Sequence, residues 1–151
     1  MPNSVFTEQG VNELTERIGV LTADSEKKWG KMDPAQMLAH CNVPYEMVYE
    51  DTHPRPNPLV RFFLKRFVKP AVVSDKPYPR NSRTAPQFLV KDKKDFEKEK
   101  AKLLGHIRRT AALGEVFFDG RESHSFGRLS LKEWDTMFYK HLDHHLKQFG
   151  A

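Results

Sequence analysis

The chain has one cysteine in 151 residues, Cys41. A single thiol excludes an internal disulfide and any thiolate zinc cage. Long apolar runs are missing too. The longest, Leu59 to Val73, is broken by Arg61, Lys65, Arg66 and Lys69, so it is too short and too charged to span a bilayer. The start, Met1-Pro-Asn-Ser, lacks the basic residues and apolar stretch of a secretory leader, and a cytoplasmic protein is expected. There is no internal repeat, no low-complexity tract and no convincing alternating strand.

With 38% hydrophobic and 30% charged residues, the chain is a soluble globular one rather than a disordered one, long enough for a single domain spanning 1–151. Its net charge of +5 is uneven. Residues 55–109 hold sixteen Lys/Arg against five Asp/Glu, while the rest sums to −6. A basic middle can steer an anionic partner or be a solvated helix face. No stacking aromatics are interleaved as single-strand binders require, so the solvated face is preferred and nucleic acid is not expected.

Periodicity predicts helices over Phe6–Leu21, Pro34 to about Asp51, Asp92–Ala112 and Leu131–Phe149, with a short one at Leu59–Val68. Asp33-Pro34 starts the second as N-cap and first-turn proline, and Pro44 should kink it. The short helix carries Phe62, Phe63 and Phe67 and is limited by Pro70. Packing against the other helices is its expected role; a membrane-surface role is weaker because the segment is short. Ser74–Pro86 reads as a proline-rich loop, Gly114 as the end of the third long helix, and Glu115–Arg128 as irregular. Ser130 with Glu133 has capping-box spacing, and Gly150 ends the last helix. Four long helices and one short one make an all-α antiparallel bundle the expected architecture.

On the last helix Trp134, Phe138, His141, His145 and Gln148 recur at steps of four and three, which puts them on one inward face. His141 and His145, one turn apart at about 5–6 Å between Cβ atoms, are close enough to share a cation. His40 lies on the apolar stripe of the second helix with Met37, Pro44 and Met47. Three neutral imidazoles from two facing helices fit a divalent metal with an open position; equally, they fit hydrogen-bonded core residues. His144 is about 100° off the stripe and is excluded. The stripes name Met37, Cys41, Pro44, Met47, Trp134 and Phe138 as pocket-lining candidates, so a small substrate with an apolar part is expected. Asp135 and Asp143 point away from the histidines, leaving no evident general base and no assignable catalytic residue. Cys41 is read as packing and His124 as hydrogen-bonding locally near Phe126-Gly127.

Trp29-Gly30-Lys31-Met32, Pro34-Ala-Gln-Met-Leu-Ala-His40-Cys41 and His141-Leu-Asp-His-His145-Leu-Lys-Gln148-Phe-Gly150 resemble the DinB/YfiT-like superfamily, most closely a branch known only as a domain of unknown function. The likeness covers nearly the whole chain. It includes Arg80-Asn81-Ser82, Phe96-Glu97-x-Glu99-Lys100 and His124-x-Phe126-Gly127. It implies a four-helix bundle of up-down-down-up connectivity, often a homodimer, for which an exposed stretch such as Phe62-Phe63-Leu64 would serve. It implies a metal triad of His40, His141 and His145, with Gln148 as the polar residue that follows. Zinc or nickel is the expected ion, and iron or manganese is also accommodated. Relatives in the superfamily include thiol-dependent S-transferases and an isomerase that use the metal to activate a low-molecular-weight thiol. The alternative is a bundle with a vestigial site, acting through partners or binding anions with Lys65, Arg66, Lys69, Arg80 and Arg83.

Overall fold

The helix starts read from sequence become real caps. In a computed structural model that describes residues 3–82 and 88–151, Asp33 accepts the Gln36 N–H while the Gln36 side chain accepts the Asp33 N–H. Ser130 and Glu133 do the same at the last helix. Each reciprocal pair satisfies two donors that a helix leaves orphaned. Arg83 and Pro86, named above in the anion-binding reading and the proline-rich loop, lie outside the described residues.

The chain is mostly helical. Helix α1 spans Glu8–Gly19, capped by the Thr7 hydroxyl; α2 spans Pro34–Tyr49 and runs through Pro44. Helix α3 (Pro58–Phe63) passes into a π-helical turn, Leu64–Val68, and then α4 (Lys69–Val73). Pro70 therefore does not stop the helix. The Lys69 N–H reaches back five residues to the Leu64 carbonyl, and Pro70, which has no N–H to place, enters in the first turn of α4.

Helix α5 runs Phe96–Phe118, capped by Asp95. It starts later than expected and continues past Gly114, whose φ of 72° and ψ of −177° break the helical path. One more turn carries Phe118 into the core. A two-stranded antiparallel sheet follows, β1 (Glu122–Ser123) against β2 (Gly127–Arg128), with Ser123 opposite Gly127. Strands of two residues are too short to show alternation, which is why the sequence read as irregular there. Helix α6 spans Leu131–Gln148.

The long helices α1, α2, α5 and α6 pack on one another, α2 most extensively on α5. Their apolar faces form one buried cluster that includes Leu14, Ile18, Leu38, Leu103, Ile107, Phe138 and Leu142. Burying a residue of this size contributes about 1.5–3 kcal/mol. Tyr45 stacks on Phe138 at 4.6 Å between ring centroids, and Phe138 stacks on Trp134 at 5.5 Å. Arg17 ties α1 to α6 by an ion pair to Asp143 at 3.0 Å, and the Asp135 carboxylate accepts the Val5 N–H at 2.8 Å. Both aspartates are thus engaged away from the histidines. The short-helix expectation fails in one respect: Phe62, Phe63 and Phe67 do not pack on the long helices but face solvent.

Candidate metal centre

His40 comes from α2, and His141 and His145 come from successive turns of α6. Packing of α2 on α6 brings the three rings to centroid separations of 4.8, 4.6 and 4.8 Å, close to an equilateral triangle. One nitrogen from each lies within 4.8 Å of the other two. His40 Nε2 and His141 Nε2 are 2.9 Å apart.

The outer nitrogens are clamped. His40 Nδ1 sits 2.7 Å from the Phe88 carbonyl oxygen, which only accepts, so Nδ1 carries the proton and Nε2 presents its lone pair inward. His145 Nδ1 is 2.8 Å from Gln148 Oε1. The Gln148 amide nitrogen in turn donates to the Trp29 carbonyl at 2.8 Å, which fixes the amide orientation and makes His145 Nδ1 the donor. His145 Nε2 is thereby left free to ligate. This is the arrangement by which ligating imidazoles are usually held, one nitrogen on a carbonyl or amide and the other on the ion.

Gly30 makes the Gln148 contact available. Its φ is +87°, and a Cβ there would lie 2.3 Å from Gln148 Nε2. The Lys28 N–H donates to the Gln148 carbonyl at 2.7 Å, so the 28–30 segment is stapled to the end of α6.

Burial pushes the pKa of all three imidazoles down, and the neighbouring imidazoles add to the shift. His145 falls to about 3 and His141 well below its ordinary value. The rings are neutral at pH 7, the form a metal requires. Among the described residues these three are the one group of histidine, cysteine or carboxylate side chains close enough to hold an ion together. His144 stays outside the triangle, with its ring 5.6 Å from those of Trp29 and Tyr78.

A cavity of about 740 Å³ opens beside the triangle. Pro44, Met47, Trp134 and Gln148 line it, together with all three histidines. Met37, Cys41 and Phe138 do not. Met37 and Cys41 are buried against each other, sulfur to sulfur at 3.6 Å, on the core side of α2, and Phe138 is taken up by its stack on Tyr45. An apolar stripe is wider than 100°, and only one edge of it meets the cavity. The residues that sequence reasoning missed come from elsewhere: Val68 and Val72, Tyr78, Phe88, Met137, and Trp29-Gly30, a block noticed only as a motif. Among the described lining residues there is no Asp or Glu; the charged ones are Lys31 and Lys91. His124 also lines the cavity, with one nitrogen 2.8 Å from Ser125 Oγ and the other 3.1 Å from the His53 carbonyl.

Burial holds the Cys41 thiol far above its ordinary pKa, so it is inert packing rather than a nucleophile. Among the described residues no helix is long and apolar enough to cross a membrane.

Fold and site together define a mostly helical protein with a buried three-histidine cluster whose chemistry suits a divalent ion. Residues 6–151 match the model of DUF1569, described as a protein of unknown function, and the chain belongs to that family. Neither the curated proteins nor the solved structures contain a match to it.

Proposed function

We propose that His40, His141 and His145 hold one divalent cation, zinc or nickel by preference, and that the protein is a thiol-dependent transferase-like enzyme acting on a small, partly apolar substrate. The observation that carries this reading is the pair of clamps, Phe88 carbonyl on His40 and Gln148 on His145, which turn two imidazole lone pairs toward a common point. In the same reading, the four long helices around one core form the up-down-down-up bundle of the DinB/YfiT-like superfamily.

An ion at this site supplies Lewis acidity, lowering the pKa of a thiol or water that binds it and polarising a carbonyl. The chain supplies the rest. Phe88 and Gln148 fix the rings, and Met47, Val48, Val68, Val72 and Met137 give the cavity apolar walls that keep water from the reacting groups. With no carboxylate among the described lining residues, a thiol is the better-suited nucleophile. It loses its proton near pH 8.5, whereas bulk water holds on to about 15.7.

The test is elemental analysis of protein purified without a metal-affinity tag, beside the His40→Ala/His141→Ala/His145→Ala variant. About one divalent ion per chain in the wild type, absent from the variant, is expected and justifies a thiol-transfer screen. No ion in the wild type after incubation with zinc, nickel and manganese overturns the reading.

A further inference from the structure

The 58–73 segment lies with one edge on the cavity and the other in solvent. Val68 and Val72 line the cavity wall. On the outer side Leu59 is 67% exposed, Phe62 61%, Phe63 51% and Phe67 62%. Spacings of three and four link Leu59 to Phe62 and Phe63, and Phe63 to Arg66 and Phe67, and all five are exposed, so they form one outer face. Phe62 and Phe63 are in edge contact, and Phe63 stacks on Phe67 at 5.8 Å, so the aromatics are one patch rather than scattered residues. Such a patch marks an interaction surface.

Charge decides what covers it. Residues 58–73 contain Arg61, Lys65, Arg66 and Lys69 and no Asp or Glu. Arg61 pairs with Glu122 and Lys69 with Glu133, Lys65 lies along Gly127, and Arg66 remains exposed over the Phe67 ring. A second copy meeting this face through a two-fold axis would set Arg66 near its own counterpart, like charge against like. An anionic bilayer offers what the face lacks: negative headgroups for the cations and an acyl boundary for the rings. Large aromatics with Lys and Arg on a short helix, lying in the interfacial plane, are the pattern of a surface-bound helix.

We propose that the 58–73 segment docks the protein on an anionic membrane surface, with Phe62, Phe63 and Phe67 entering the headgroup–acyl boundary and Arg66 on the headgroups. The opposite edge of the same segment walls the cavity, so docking puts the cavity next to the lipid, where partly apolar molecules concentrate. The proposal does not depend on the metal site.

The experiment is co-sedimentation of the full chain with vesicles of phosphatidylglycerol and phosphatidylcholine in equal parts, against vesicles of phosphatidylcholine alone. Binding to the first and little to the second is expected, and it should weaken as salt rises. Each unit of charge near such a surface is worth roughly a fivefold change in partitioning, so Arg66→Glu, which removes a cation and adds an anion, should lose about 25-fold. Phe62→Ser/Phe63→Ser/Phe67→Ser should abolish binding with an unchanged circular dichroism spectrum, since the replaced rings are exposed. No binding to the anionic vesicles overturns the proposal, as does equal binding to both compositions. A concentration-dependent dimer in the wild type that the phenylalanine variant abolishes also overturns it, by assigning the face to a second copy.

Discussion

Replacing Gly30 by alanine tests how the histidine triangle is built. The new Cβ would lie 2.3 Å from Gln148 Nε2, and the backbone φ of +87° is one that L side chains rarely adopt. The backbone conformation costs about 1–2 kcal/mol. Moving Gln148 also weakens its two hydrogen bonds, to the Trp29 carbonyl and from His145 Nδ1, at a net of about 1 kcal/mol each. The metal-free protein should lose about 3–4 kcal/mol, or roughly 6–16 °C in Tm for a chain of this length. Gly114→Ala is the control. Its φ is +72°, yet nothing lies within 4 Å of the new Cβ, so it carries a backbone cost alone. Stability does not separate the two variants cleanly, but metal affinity does. Losing the group that holds a ligating imidazole typically costs 10–100-fold in affinity. Zinc competition against a chelating dye should show that loss in Gly30→Ala and none in Gly114→Ala. On a Gln148→Ala background the clash is gone, so Gly30→Ala should there cost only its backbone share. Equal zinc affinity for Gly30→Ala and wild type, or strict additivity with Gln148→Ala, would refute the reasoning.

A strong chelator should lower the Tm of the metal-loaded protein, because an ion held between α2 and α6 binds only the folded state; an unchanged melting curve with removal verified counts against it. The His106 pKa is lowered, first by burial and then by Lys102. The unfolded chain therefore takes up a proton below about pH 6.5 that the folded one resists, and stability should fall as pH drops through that range; urea titrations at pH 7 and pH 5 should show a smaller difference in His106→Gln than in the wild type. Cys41 should ignore a thiol reagent in the native protein and react fully in denaturant, and fast native labelling would contradict its burial.

What was legible in the sequence was local. Asp33 with Gln36 and Ser130 with Glu133 are caps decided within four residues, and the structure has both. The pairing of His141 with His145 on one face follows from helical spacing alone. The parts that were not legible depend on distant chain. The groups that hold His40 and Gln148 are carbonyl oxygens of Phe88 and Trp29, and a main-chain carbonyl looks the same in every residue. Pro70 was read by the rule for α-helices, and the chain met it through a π turn instead. Gly114 ended the regular helix as read, but the turn beyond it is set by where Phe118 finds its pocket, against Phe6, Phe117, Trp134 and Phe138.

The core holds a second buried histidine arrangement, and the contrast between the two explains why one of them points to an ion. His106 Nδ1 hydrogen-bonds Asn42 Oδ1 at 2.9 Å, and Asn42 Nδ2 donates to the Glu99 carboxylate at 2.9 Å. Donor meets acceptor at each step, and the His106 ring stacks on Tyr45 and Tyr49, so these hydrogen bonds run between protein groups. The triangle is not closed in that way. His40 and His145 each spend their ring proton outward, on Phe88 and Gln148, and bring a bare lone pair inward. His141 meets His40 nitrogen to nitrogen at 2.9 Å, so at most one proton lies between that pair. Lone pairs gathered in a buried site repel, and burying them without partners costs stability. A divalent cation would relieve that cost, because it would give each inward nitrogen something to bind. The same composition, histidines on apolar faces of long helices, thus yields a structural network where the partners are amide and carboxylate and a metal-ready one where the partners are other imidazoles.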